Sequence, residues 1–320
     1  MRDRRTRLSR VTAVSTLIMA LAAAGPPVAA QSDPAASPET GRTIAVITPD
    51  YAAQPAAKEA IDQFRAEAAS RGYETTLVDT ASDNAAINGE ITTAVAQQVD
   101  AIVTAFGTPQ EFGEGLANAA AAGVPVFGLD TGGVVEPTLV NVTTDPRVLG
   151  EASAQAIIDA LGGTGRVIIV HFDPFEPVRL RAEAARALFE ANGIEIVEDV
   201  LGDPADSTGF ARATVLDFLV KYPEGELGAV WAGWDASALG AYQATQETGR
   251  TEVLVTGVDG QDFARAEVAK GGNWIATVRQ DWQTIATTLA DIVDAHFAGT
   301  APSEPIVYVP AVLITAENAG

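Results

Sequence analysis

Cysteine is absent from this 320-residue chain, and histidine occurs only twice, at His171 and His296. Without a thiol there is no disulfide framework, no cysteine nucleophile and no thiolate metal site. Two histidines far apart in sequence give a histidine metal cluster or a Ser–His–Asp triad little to work with. Lysine is nearly as scarce, at Lys58, Lys221 and Lys270, and the 20 basic residues face 42 acidic ones for a net charge of −22. Nucleic-acid phosphates need clustered Lys and Arg, so this balance argues against such a partner. What is present is 47% hydrophobic, enough for a globular chain of two ordinary domains.

The first thirty residues read as an export signal rather than fold. Arg2, Arg4, Arg5, Arg7 and Arg10 precede an apolar run from Val11 to about Gly25, and small residues follow at Val28 and Ala30. That order predicts a cleavable signal cut before Gln31. The apolar run falls short of the roughly 18–20 residues a spanning helix needs, and a lipid anchor would require a cysteine after the signal. Arg4-Arg5 before Leu8 is a weak twin-arginine feature, which Asp3 and Arg7 fit badly. Removal of the signal leaves 15 basic and 41 acidic residues, a mature net charge of 15 − 41 = −26. The mature chain is expected to be soluble and periplasmic, opening on a mobile tail over 31–41.

From residue 43 onward the pattern alternates. Short, continuous apolar runs such as Thr43–Thr48 and 166–171 read as strands buried on both faces. Stretches with apolar residues at helical spacing, such as Ile87, Ile91 and Val95, separate them. Strict β-α alternation implies parallel sheets covered by helices. Some ten such units exceed one open sheet and predict an α/β fold of two doubly wound domains.

In doubly wound sheets a ligand sits beyond the carboxyl ends of the strands. The loops there hold Asp50, Tyr51 and Gln54 after the first strand, Phe106 after the third and Asp130 after the fourth. In the second half they hold His171-Phe172-Asp173, Trp234-Asp235, Asp259-Gly260 and Gln280-Asp281-Trp282. These loops are rich in carboxylates, amides and aromatic rings, and poor in nucleophile–base pairs. Carboxylates and amides hydrogen-bond hydroxyls, and ring faces pack on the C–H faces of a sugar.

The chain resembles the ribose-type periplasmic binding proteins, the type I solute-binding components of sugar ABC importers, over about residues 42–316. The resemblance is carried by Val-Phe-Gly-Leu-Asp130, by Asn141-Val-Thr-Thr-Asp145 before a helix with Gly150, and by Arg179-x-Arg181. Further on it is carried by Val230-Trp-Ala-Gly-Trp-Asp235, Gly257-Val-Asp259-Gly260 and Ala276-Thr-Val-Arg-Gln280. It implies that Asp130 and Asp259 accept from ligand hydroxyls and that Arg181 donates as a charged fork. It also implies that Gln280 contacts ligand near a hinge, that Gln54 supplies the first-loop amide, and that Phe172 and Phe210 make apolar contacts. The chain departs from ribose binders in having Ala56-Ala57 where they carry a Phe-Phe pair, and Thr131 where they carry an arginine. Trp234 and Phe106 stand where that group has asparagines.

The implied lobes are 42–144 with 281–307 and 145–280 with 308–320, joined at three crossovers and closing on ligand. The expected partners are a small neutral sugar or polyol and the membrane permease of an ABC importer. A monomer is expected, with no nucleic acid, no metal and no cofactor. A carbohydrate-acting enzyme using Asp130 and Asp259, or a sensor presenting ligand to a chemoreceptor, are the competing readings. Other residues read as structural. Asp235 and Asp145 read as helix N-caps, Arg179 as a solvated charge, Trp231 and Tyr242 as core, and His171 as a strand end. Trp282 reads equally as a packing residue or a ligand contact. The Asn141-Val-Thr143 triplet lies in a strand, against its use for glycosylation.

Overall fold

The computed structural model describes residues 41–319; the expected signal over 1–30, and the tail apart from Gly41, lie outside them. The first half runs β1 (Thr43–Thr48), α1 (Pro55–Ser70), β2 (Glu74–Asp79), α2 (Ile87–Ala96), β3 (Ala101–Ala105), α3 (Gly113–Ala122), β4 (Val126–Leu129) and β5 (Thr138–Thr143). The second runs α4 (Pro146–Leu161), β6 (Gly165–His171), α5 (Glu176–Ala191), β7 (Ile194–Leu201), α6 (Ser207–Lys221), β8 (Ala229–Ala232), α7 (Asp235–Thr248), β9 (Leu254–Asp259), α8 (Asp262–Val268) and β10 (Trp274–Arg279). The chain ends through α9 (Trp282–Phe297), β11 (Ile306–Tyr308) and β12 (Val312–Thr315).

Two six-stranded sheets result, ordered β11-β5-β4-β3-β1-β2 and β12-β10-β9-β8-β6-β7. Every pairing is parallel except β10 with β12, so the extended C-terminal segment closes the second sheet as an antiparallel edge. The unbroken apolar strands follow from burial on both faces. In β1, Ile44 and Val46 join the core under α1 and α9, while Ala45 and Ile47 join the one under α2 and α3. In β6, Ile168 and Val170 face α6, α7 and α8, while Val167 and Ile169 face α4 and α5.

The chain passes between the sheets three times. After β5, α4 packs on α5, β9 and β10; after β10, α9 returns to α1, β4 and β5; and β11 and β12 pair in different sheets. Helix starts follow local chemistry. Asp145 caps α4 by accepting from Arg147 N at 2.9 Å, and Asp281 caps α9 by accepting from Thr284 N at 3.2 Å. Each sheet with its helices is called a lobe below.

Candidate functional site

Eight strand ends deliver residues to one cavity of about 210 Å³ between the lobes, Asn84 after β2 among them. From the first lobe come Asp50 and Gln54 after β1, Phe106 after β3 and Asp130 after β4. From the second come Phe172 after β6, Pro204 after β7, Trp234 after β8 and Asp259 at the end of β9, with Arg181 from α5.

The backbone there is in an unusual conformation. Phe106, Asp130 and Asp259 have φ of 56°, 50° and 117°, a region L-residues avoid. Such conformations persist only where the surroundings over-determine them, and they cluster at ligand clamps. Asn141 supplies part of that support from β5. Its Oδ1 accepts from Thr131 N at 3.1 Å and its Nδ2 donates to Thr131 O at 3.1 Å, which occupies the Asn141 triplet in the interior.

A charged network lines the floor. Arg181, only 2% exposed, donates through Nη1 to Gly233 O at 2.9 Å and to Asp259 Oδ1 at 3.1 Å. Gln280, at the β10–α9 crossover, donates through Nε2 to the same Asp259 oxygen at 3.2 Å. Across the cleft, Asp130 Oδ1 accepts from the Thr143 hydroxyl. Its Oδ2 is buried without a partner, as are Trp234 Nε1, Arg181 Nε and Gln280 Oε1. Buried polar atoms are rarely left so, and the three on lining residues, Asp130, Trp234 and Arg181, mark where a ligand's polar groups belong. Burial pushes the Asp130 carboxyl above its usual range, opposed by Arg181, Thr143 and Gln280.

Burial likewise pushes Asp259 up to about 6, opposed by Arg181 and Gln280, and pushes Asp50 up to about 6 with help from the charge of Asp79. A carboxyl whose folded pKa is raised contributes stability below its unfolded pKa, and that stability is lost as pH rises through the folded value. The window here runs from 3.8 to about 6. Asp259 accounts for on the order of 2–3 kcal/mol, and half-buried Asp50 for less because solvent screens it. The melting temperature should therefore rise when the pH is lowered from 7 to 5, and Asp259→Asn should flatten the rise. The surface acids held low by ion pairs, Glu183, Glu198 and Glu252, act in the opposite direction only below their usual range. A melting temperature that fell steadily over pH 7 to 5 would contradict this.

Eight of the eleven expected site residues line the cavity: Asp50, Gln54, Phe106, Asp130, Phe172, Arg181, Trp234 and Asp259. Three do not. Tyr51 turns along α1, where its hydroxyl donates to Asp62 Oδ1 at 2.8 Å. Phe210 is half-buried one turn into α6, and Pro204 before that helix takes the wall position. Gln280 lies outside the lining, its amide donating to Asp259. Two members of the wall are already engaged. Gln54 Nε2 donates across the cleft to Pro204 O and to Ser207 Oγ at 3.2 Å, and Arg181 Nη1 is committed to protein acceptors.

Asp235 is not an N-cap, against expectation; Trp234 holds that position, without a side-chain bond. Asp235 is the first helical residue and points inward, accepting from Thr277 Oγ1 at 2.7 Å and from Gln261 N at 2.8 Å. Burial, then the charge of Asp259, pushes its carboxyl well above the usual range. Trp282 packs in the first-lobe core with its ring 5.8 Å from that of Phe106, so it backs the cavity wall. Trp231 is core, its Nε1 donating to Ser153 Oγ at 2.8 Å, and Arg179 pairs at the surface with Glu176 and Glu183. His171 is more than a strand end: its two ring nitrogens face Asp173 at 2.7 Å and Asp199 at 3.0 Å. Sequence reasoning missed Asn84, Glu111 and Phe175 in the wall. Asn84 follows β2, so the post-strand rule applied to that loop would have found it. Phe175 is placed by its stack on Phe106, with centroids 6.5 Å apart and planes 24° apart.

The periplasmic binding protein domain matches residues 44–301, most of the chain. The chain belongs to that family. It resembles the D-apiose import binding protein of Actinobacillus succinogenes, at 28% identity over 86% of this chain and 89% of the relative. Among solved structures it is similar to an ABC sugar transporter subunit from Rhodobacter sphaeroides, with a TM-score of 0.79, 28% identity, and coverage of 87% of this chain and 99% of that one. It is also similar to an ABC transporter solute-binding protein from Agrobacterium vitis with bound allitol, with a TM-score of 0.80, 26% identity, and coverage of 87% and 96%. As a periplasmic binding protein the chain binds a solute for transport and is not an enzyme.

Proposed function

We propose that this periplasmic binding protein holds a neutral monosaccharide or sugar alcohol between its lobes and delivers it to the membrane permease of an ABC importer. The observation that carries this reading is the buried, unpartnered Asp130 Oδ2, facing a cavity walled by Phe106, Phe172, Phe175 and Trp234. A carboxylate oxygen with no protein donor accepts from a hydroxyl, and the rings cover the C–H faces between hydroxyls. The one cavity guanidinium is held by Asp259 and Gly233, which disfavours acidic and phosphorylated sugars. D-apiose and allitol, named for two relatives, fit this chemistry.

The lobes, 42–144 with 281–307 and 145–280 with 308–320, close about the three crossovers when a ligand bridges them. The protein acts as a monomer after export by its N-terminal signal, and mass spectrometry of the exported chain should find Gln31 first. The deciding experiment is mass spectrometry of solute released from purified protein, followed by a thermal-shift panel that includes allitol and D-apiose. A true ligand at a hundred times its dissociation constant adds about 2.7 kcal/mol. Asp130→Asn should weaken the best ligand about 10- to 100-fold, since a hydrogen bond to a charged group contributes about 1.5–3 kcal/mol. A panel in which no sugar or polyol shifts the melting temperature would overturn the reading.

A further inference from the structure

Two polar bridges cross the cleft beside the cavity. Glu59, half-buried in the second turn of α1, accepts from Gln261 Nε2 at 2.8 Å. Gln261 lies in the turn between β9 and α8, is 5% exposed, and has its backbone N–H fixed by Asp235. Neither Glu59 nor Gln261 lines the cavity. At the start of α1, the Gln54 amide makes the second bridge, to Pro204 O and Ser207 Oγ on the second lobe. Both bridges join protein to protein, so they hold the lobes together whatever fills the cleft.

We propose that the Glu59–Gln261 pair, backed by Gln54 on Pro204 and Ser207, latches the lobes shut and sets how tightly solute is held. This rests on the reading of the lobes as a closing pair. Glu59 and Gln261 are positioning residues that act on affinity through closure. The apparent dissociation constant scales inversely with the population of the competent state, so a latch that stabilises the closed form tightens binding and slows escape. The partners are also poor alternatives to leave unmade. Opening exposes Glu59 to water, whereas closure without Gln261 buries its carboxylate beside Asp262, with only Arg265 and Arg279 to offset the burial.

The absence of cysteine makes site-specific labelling clean. Ala66→Cys on α1 and Glu224→Cys on the second lobe are exposed positions for two spin labels. Pulsed electron paramagnetic resonance of the solute-free full chain should show a short, closed distance beside a long, open one. Glu59→Ala and Gln261→Ala should each lower the closed-to-open ratio about 10-fold. The double variant should fall no further than either single one, because both remove the same bond. Glu59→Gln, which keeps an acceptor and the fold, should retain most of the ratio, and Gln54→Ala should lower it independently. With allitol as probe, the two alanine variants should release it about 10-fold faster at an unchanged association rate. A wild-type chain without the short distance, single variants with the wild-type ratio, or an additive double variant would each overturn the latch. If wild-type protein bound no sugar at all, the functional reading would fall, while the distance populations would still decide the latch.

Discussion

Replacing Asp259 by alanine is expected to lower stability by about 3–5 kcal/mol at pH 7 and to reduce solute affinity at least ~100-fold. The stability loss comes from Arg181. Its side chain is 3% exposed, and Asp259 is its ion-pair partner at 3.1 Å. Removal of the carboxylate leaves a buried guanidinium with Gly233 O and the more distant charge of Asp130. Breaking a buried pair costs far more than replacing both members by apolar groups. The affinity loss has two sources: the acceptor is gone, and Gln280 loses the bond that holds it at the crossover. Asp259→Asn keeps the shape and should cost less. Denaturant midpoints together with ligand titration check both effects. A stability loss under about 1 kcal/mol would mean that Arg181 finds another partner.

Gly150→Ala is expected to destabilise by about 1–3 kcal/mol or more and to weaken solute binding with it. Helix propensity alone predicts the opposite sign, since alanine in a helix interior is favoured over glycine by about 1 kcal/mol. Contact decides it. A Cβ at Gly150 would stand 2.1 Å from the Arg181 carbonyl oxygen and 2.8 Å from the Arg181 carbonyl carbon. Those are backbone atoms and cannot swing aside, so α4 and α5 would have to separate, taking Arg181 off Asp259. Gly89→Ala is the control. It lies in α2 with nothing within 4 Å of its would-be Cβ, and should stabilise by about 0.5–1 kcal/mol. Melting temperatures of the two variants moving in the same direction would contradict the argument.

Much of the architecture was legible because its causes are local. Strands such as β1 and β6 bury both faces, so their central residues, Ile44–Ile47 and Val167–Val170, are all apolar and the run is unmistakable. The cleft was legible for a topological reason: parallel strands put their carboxyl ends on one side, so the loops holding Asp130, Trp234 and Asp259 had to converge. Less was legible about what each side chain does there. Asp235 has the composition and position of a cap, yet its carboxylate is taken by Thr277 and Gln261, 42 and 26 residues away. Gln54 reads as a ligand amide, yet its donor is taken by residues 150 and 153 positions away on the other lobe.

From the scarcities at the outset, the sequence by itself determined that thiol chemistry is impossible and clustered cationic recognition absent. From its periodicity it determined two wound sheets with polar and aromatic loops at their carboxyl ends. Those properties depend on residue type and spacing, which are local. Only the tertiary structure decided which polar groups are already paired and which are left for a ligand. The Arg181 Nη1, Gln54 Nε2 and Gln280 Nε2 donors turned out to be taken by protein acceptors, while Asp130 Oδ2 and Trp234 Nε1 have no protein partner. The reason is that a side chain's hydrogen-bonding capacity is intrinsic, whereas its remaining capacity depends on neighbours brought from distant parts of the chain.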